Sequence, residues 1–260
     1  QIFSENSQEA YDNMIQAVRI AEHMDVRLPV MVTTDGFIIS HGLEAVSLLE
    51  DKEVQDFIGP YKAAYSLLNV EKPITVGGLD FTDYYFEHRR QIAEAMKNAK
   101  RVILEVGREF GEKFGRSYGF FEGYKLDDAE VALVLLGSTA GTARVAVDNL
   151  RKAGIKCGLL KLRVFRPFPA AELAEALKHL KAVAVMDRSD SLSTAGGPLF
   201  MEVRSALYDL QERPAIVDYI YGLGGRDITV EDLEGVYREL QRISEGGQVQ
   251  ETVQYLGVRG

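Results

Sequence analysis

One cysteine, Cys157, occurs in 260 residues, so neither a disulfide framework nor a cysteine-ligated iron–sulfur cluster can be built inside the chain. Any cluster must belong to a partner. Histidine is scarce too: His23, His41, His88 and His179 lack the short spacings that put two imidazoles on one helix face, and no protein-ligated metal is expected. No apolar run reaches the roughly 18–20 residues of a membrane span, and the N-terminus lacks the basic-then-apolar layout of a signal peptide. The expectation is a soluble, cytoplasmic protein with no membrane partner. The formal charge of −9 comes from interspersed acids and bases without a basic block, which argues against nucleic acid. What the chain does have is 46% hydrophobic residues, enough for one large domain or two small ones.

Asn6 is placed to cap a helix, with Glu9 three residues on and Ala10, Met14, Ala17, Val18, Ala21 and Met24 on one face. That face is expected to pack on a sheet. Leu28 to Thr33 is a short apolar, partly β-branched run that suits a buried strand, and Asp35-Gly36 ends it. One helix and one strand cannot make a stable sheet, so residues 1 to about 40 read as the last α/β unit of a domain that begins upstream. Residues 42–78 loosen into short pieces punctuated by Gly59-Pro60, Lys72-Pro73 and Gly77-Gly78. From Asp83 to about Phe114 the spacing of Ile92, Met96, Ala99, Ile103, Val106 and Phe110 predicts one long amphipathic helix. Then strands at 131–136, 157–162, 182–186 and 215–220 alternate with helices. This order predicts a mostly parallel sheet covered on both faces.

Four loops follow those four strands and so share the carboxyl edge, where open α/β sheets meet ligands and partners. Gly137-Ser138-Thr139-Ala140-Gly141 could offer Ser138 and its neighbours' amides to a phosphate or carboxylate, or be a tight turn capping a helix; it lacks both the dinucleotide fingerprint and the phosphate-loop lysine. Arg166, within Arg163 to Pro169, could pair with a carboxylate or brace a neighbouring loop. Arg188 and Arg226, with Asp187, Asp190 and Asp227, complete a set balanced in sign. Such balance favours an interface or internal bracing over a free anion site. His41, near Asp35, could act as an acid or base, but no nucleophile or orienting group can be named beside it. A structural loop histidine is the alternative.

The order of these parts, from Ser7-Gln8-Glu9-Ala10-Tyr11-Asp12 through Asp35-Gly36-Phe37 and Ser40-His41 to Gly137-Ser138, Arg166-Pro167-Phe168 and Gly224-Gly225-Arg226-Asp227, resembles the alpha subunit of pyruvate:ferredoxin oxidoreductase and its 2-oxoacid relatives. The resemblance covers nearly the whole chain. It implies an α/β fold in which residues 1–58 end a thiamine-diphosphate pyrimidine-binding domain, 59–127 connect, and 128–260 form a domain like the C-terminal domain of transketolase, chiefly structural in the family. It also implies oxidative decarboxylation of pyruvate or a related 2-oxoacid to acyl-coenzyme A, with ferredoxin reduced and an anaerobic host. Thiamine diphosphate with magnesium and [4Fe-4S] clusters would belong to the intact complex, none held fully by this chain.

The partners implied are a beta subunit with the diphosphate site, a gamma subunit, a ferredoxin-like delta subunit and, through them, ferredoxin, in an oligomer. The activating glutamate and the groups that hold the substrate carboxylate fall upstream, so no catalytic residue is carried onto this segment. The interface or anion-binding candidates are therefore Arg166, Arg188, Arg226, Asp227, Ser138, Asp35 and His41. Two other readings stay open: the beta subunit of a lipoate-dependent 2-oxoacid dehydrogenase, and a non-enzymatic α/β binding module.

Overall fold

A computed structural model of the chain describes residues 1–259. In chain order the elements are β1 (Ile2–Phe3), α1 (Ser7–Glu22), β2 (Val32–Thr33), α2 (Asp51–Ile58), α3 (Tyr85–Phe114), β3 (Phe121–Tyr124), β4 (Val131–Leu136), α4 (Thr139–Lys152), β5 (Cys157–Leu162), α5 (Ala170–Leu177), β6 (Ala182–Asp187), α6 (Pro198–Tyr208), β7 (Ala215–Ile220), a 3-10 turn at Leu223–Gly225, α7 (Val230–Ser244) and β8 (Val253–Tyr255). They form two compact units. Among the described residues, the first holds Gln1–Ala10, Thr33–Ala45 and 120–259; the second holds Tyr11–Val32 and Val46–Gly119. Among the described residues, no helix is long and apolar enough to cross a membrane.

The first unit is built on a six-stranded sheet in the order β3-β5-β4-β6-β7-β8, parallel except for β3, which runs antiparallel to β5. Its central strands are buried on both faces, which is why they read as unbroken apolar runs. Alternate side chains then serve opposite cores: Leu133, Leu135, Leu159, Ala184 and Val217 pack with α4 and α7, while Ala132, Val134, Leu160, Val183 and Val185 pack with α5 and α6. Each fully buried Leu or Val contributes roughly 1.5–3 kcal/mol. Helix α4 turns Ala140, Ala143 and Ala146 to the sheet, and α7 starts with a capping box in which Thr229 and Asp232 satisfy each other's backbone amides.

Chain order reverses around β4, whose neighbours are β5 on one side and β6 on the other. That reversal opens a crevice at the carboxyl edge.

The two faces meet tightly at Gly158 in β5. A Cβ there would lie 2.7 Å from the Lys125 carbonyl oxygen and 2.9 Å from Leu126 Cα, both backbone, while the Gly158 carbonyl accepts a 2.8 Å bond from Tyr237 Oη. Gly158→Ala is expected to lose about 1–3 kcal/mol through overpacking. A lowered urea midpoint with an unchanged slope would show it; an unshifted midpoint would mean that the 125–126 turn yields freely.

The second unit is centred on α3, 30 residues or about 45 Å long, with Ala99, Val102, Ile103, Val106 and Phe110 buried. Phe57 of α2 stands edge-on to Phe110 at 5.4 Å and to Phe114 at 5.6 Å.

Two expectations for the N-terminal part are corrected. The run from Leu28 to Thr33 is not a buried strand: only Val32–Thr33 is extended, both half-buried, and Met31 is 58% exposed. A buried parallel strand needs a neighbour on each side, and the described residues offer it only β1. Of the face expected inward on helix α1, Ala17 is buried but Met14, Val18 and Met24 stay exposed; the helix instead buries Asp12, Asn13 and Gln16 beside Ile15 and Ile20. The polar face goes inward because it is satisfied there. Within the second unit Asp12 accepts from Arg116 Nε at 2.6 Å, Arg116 Nη2 at 2.9 Å and Tyr118 Oη at 2.6 Å.

Candidate functional site at the carboxyl edge of the sheet

The crevice of the first unit is a cavity of about 260 Å³. Its walls are largely apolar, with Leu136 from the end of β4, Met186 from β6, Tyr221 after β7, Phe165 after β5, and Phe3 and Leu199 alongside; Asp35, Asp187 and Arg188 bring charged side chains to it. Pockets of this make, apolar with one or two polar anchors at a strand-order reversal, are where α/β sheets hold ligands or partner side chains.

Asp35 organises the charged side. Its carboxylate accepts a 2.7 Å bond from the Ser138 backbone N–H and lies 3.2 Å from Arg188 Nη1. Gly137 makes this approach possible: it turns at φ +74°, and a Cβ there would sit 2.6 Å from Asp35 Oδ1. The amide at the start of α4, which the sequence offers to a phosphate, is thus already given to the protein's own carboxylate. Arg188 lies over the Tyr221 ring at 5.3 Å, and Tyr221 Oη donates to Thr139 Oγ1 at 2.8 Å; burial pushes the Tyr221 phenol up to about 12. The phenol stays protonated and serves as a fixed donor.

Of the residues singled out from sequence, the fold brings Asp35, Ser138 and Arg188 together. It does not bring the three arginines into one cluster. Arg166 bonds Glu202 at 2.6 Å and lies over Phe165 at 4.2 Å, whereas Arg226 donates to the Gly257 carbonyl. Asp227 is exposed, and Asp190 accepts from Tyr255 Oη at 2.7 Å. His41 is exposed, 2.8 Å from Ser40 Oγ and stacked on Phe37, so the pairing of His41 with Asp35 is not assembled.

Two buried charged groups escaped the sequence reading. Lys161, 4% exposed in β5, holds its ammonium 2.5 Å from Glu9, 2.9 Å from Glu5 and 3.2 Å from Glu122, while Arg144 also grips Glu5. Burial alone would depress the Lys161 ammonium, but the facing carboxylates of Glu9 and Glu5 outweigh it and hold the pKa above the usual range. Asp218, fully buried in β7, accepts from the Gly197 N–H at 2.7 Å; neighbouring Asp187 accepts from Leu199 and Phe200 N–H at 3.1 and 2.9 Å, at the start of α6. Desolvation, with Asp187 nearby, pushes Asp218 up to about 7. The signal for both was in plain view: a charge inside an apolar strand.

The donor sets decide which cofactor parts fit. The Glu5, Glu9 and Glu122 carboxylates, within 4.8 Å of one another, resemble a cation site, but the Lys161 ammonium is bonded to all three. They do not fit a magnesium–diphosphate group. Cys157 is buried, and burial raises its thiol to about 11, so it is neither a cluster ligand nor a nucleophile. The cavity can seat an apolar group against a neutralised ion pair, and the Asp187 carboxylate on its wall accepts from the Leu199 and Phe200 amides.

The fold and edge define a doubly wound α/β domain with a ligand or partner crevice at its strand-order reversal. Residues 129–233 match the model of pyruvate:ferredoxin oxidoreductase core domain II, and residues 1–108 match that of pyruvate flavodoxin/ferredoxin oxidoreductase, thiamine diP-bdg. Pyruvate synthase subunit PorA of Thermotoga maritima is 49% identical over 259 residues, covering 100% of this chain and 65% of that protein. Ketoisovalerate oxidoreductase subunit VorA of Pyrococcus horikoshii is 41% identical over 256 residues, 98% of this chain and 64% of that one. In fold, the chain is similar to a 2-oxoglutarate:ferredoxin oxidoreductase from Magnetococcus marinus, with a TM-score of 0.56 at 16% identity, over 92% of this chain and 41% of that one. The chain belongs to the pyruvate:ferredoxin oxidoreductase family and is similar to its alpha subunits. It spans just under two thirds of the length of these curated relatives.

Proposed function

We propose that the chain is a subunit, or part of one, of a thiamine-diphosphate-dependent 2-oxoacid:ferredoxin oxidoreductase, which decarboxylates pyruvate or a related 2-oxoacid oxidatively to acyl-coenzyme A and carbon dioxide and passes the electrons to ferredoxin. The observation that carries this reading is the 49% identity to a pyruvate synthase subunit across the whole chain. In the assembled enzyme thiamine diphosphate supplies the carbanion chemistry that cleaves 2-oxoacids, with magnesium and iron–sulfur clusters on other subunits. The lone buried Cys157 and the lysine-filled carboxylate cluster agree with that division. The cytoplasm is the compartment that fits.

Residues 1–58 are read as the close of the pyrimidine-binding domain, 59–127 as a connector and 128–260 as the transketolase C-terminal-like domain; the gap between the two family matches, from 108 to 129, supports the second boundary. The edge residues Asp35, Ser138, Arg166, Arg188, Arg226, Asp227 and His41 serve as bracing and as contact surface. The local partners of Arg166, Arg188 and Arg226 favour this over a free anion site.

The test is reconstitution with the other subunits of the assembly. Pyruvate- and coenzyme A-dependent reduction of ferredoxin is expected only when this chain, its partners and thiamine diphosphate are all present. Transfer of the acyl group to a lipoyl domain instead, or no turnover of any 2-oxoacid, would overturn the reading.

A further inference from the structure

Between Tyr61 and Phe86 the second unit carries eleven large apolar or aromatic side chains that are 56–90% exposed, among them Leu68, Val70, Leu79, Phe81, Tyr85 and Phe86. At about 150–250 Å² for each aromatic side chain, they leave on the order of 1,000 Å² of apolar surface in water. A monomer tolerates a patch of roughly 300–600 Å², and a stable interface needs about 800 Å² from each partner. The segment's backbone makes local turn bonds, Asn69 N–H to Ser66 and Tyr85 N–H to Phe81 among them, and no described strand pairs with it.

The apolar stripe of α3 points the same way. Its buried C-terminal stretch, Ala99, Val102, Ile103, Val106 and Phe110, continues N-terminally through the half-buried Met96 to Ile92 and Tyr85, which are 40% and 56% exposed. A stripe that is core at one end and bare at the other is an unfinished interface.

The shape of the segment selects the occupant. Leu67-Leu68 and Tyr84-Tyr85-Phe86 are consecutive and all exposed, so the apolar groups lie on more than one side and no single flat face can cover them. An apolar groove is required, and a second identical arm offers a ridge, not a groove. Charge adds to this: between 59 and 92, Lys62, Lys72, Arg89 and Arg90 balance Glu71, Asp80, Asp83 and Glu87 in a chain of net −9, a neutral arm that desolvates without net repulsion. We infer that residues 61–92 are a docking arm that seats in an apolar groove of a different, non-identical subunit of the same oxidoreductase. This rests on the subunit reading above.

The test uses the complex purified with all its subunits. A photoreactive benzophenone side chain is placed at Phe81 or, separately, at Phe86, and adducts are identified by peptide mass spectrometry. Adducts on a subunit of different sequence are expected. Adducts within the same chain, or on a second copy distinguished by mixing 14N- and 15N-labelled protein, would overturn the inference. In parallel, Leu79→Asp with Phe86→Asp is expected to weaken assembly at least tenfold while circular dichroism and the melting temperature of the chain are unchanged; undiminished assembly overturns it. A chain that assembles with no thiamine-dependent subunit brings down both readings, whereas assembly and turnover with adducts elsewhere bring down only this one.

Discussion

Replacing Lys161 by methionine is expected to cost the protein about 3–5 kcal/mol, the range for removing one partner of a buried ion pair. The side chain is 4% exposed, so solvent does little to screen it, and Glu9, itself 7% exposed, holds the ammonium at 2.5 Å. Glu5 fares better because Arg144 remains; burial tends to raise its pKa, but bonds from Arg144 and Lys161 pull it below the ordinary value. The loss therefore centres on Glu9, stranded in the first turn of α1. For a chain of this size the melting temperature should fall by on the order of 10 °C. Adding Glu9→Gln to Lys161→Met should restore part of the loss, since it removes the uncompensated charge. A single substitution costing under about 1 kcal/mol, or no recovery in the double variant, would show that the network does not couple these elements.

Asp218→Asn is expected to stabilise the protein above pH 7. Because burial raises the folded-state pKa to about 7 from an ordinary 3.8, the carboxyl stabilises the fold while protonated. That contribution is fully present below about pH 4 and is lost as the pH rises through 7. By pH 8 the loss approaches about 4 kcal/mol at 1.36 kcal/mol per unit. Asp187 and Asp190 both bear on Asp218; burial raises Asp187, adding to the trend, while the Tyr255 hydroxyl bond lowers the half-buried Asp190. Asparagine keeps an acceptor for the Gly197 N–H and cannot ionise. Urea titrations of both proteins at pH 4 and pH 8 should show little difference at the lower value and a gain of roughly 2–4 kcal/mol at the higher. Equal stability at pH 8 would mean that water or a proton shared with Asp187 already relieves the charge.

The parallel sheet was legible because burial on both faces leaves a strand no choice but an apolar run: 131–136, 157–162 and 215–220 match the strands found, and 182–186 falls one residue short. Strands β3 and β8 were not, since Phe121–Tyr124 and Val253–Tyr255 are too short to show a period. The buried face of helix α1 was misplaced: of the residues expected inward, Ala17 is buried while Met14, Val18 and Met24 are exposed. Apolar spacing normally decides which face is buried, but here Asp12 is satisfied by Arg116 and Tyr118, more than a hundred residues away. The same distance hid the arrangement of the edge. That Ser138 would meet Asp35 across 103 residues, and that Arg166 and Arg226 would each find a separate partner, follows from tertiary packing and from no local pattern.

Cys157 gives the bench an advantage. Its thiol, walled in by the core and raised to about 11 by burial, is scarcely ionised at neutral pH and out of reach of reagents. The wild-type sequence is thus a silent background for thiol chemistry. A cysteine introduced anywhere on the surface becomes the single reporter of its surroundings, and a fluorophore carried there can follow assembly in real time without first stripping the native residue.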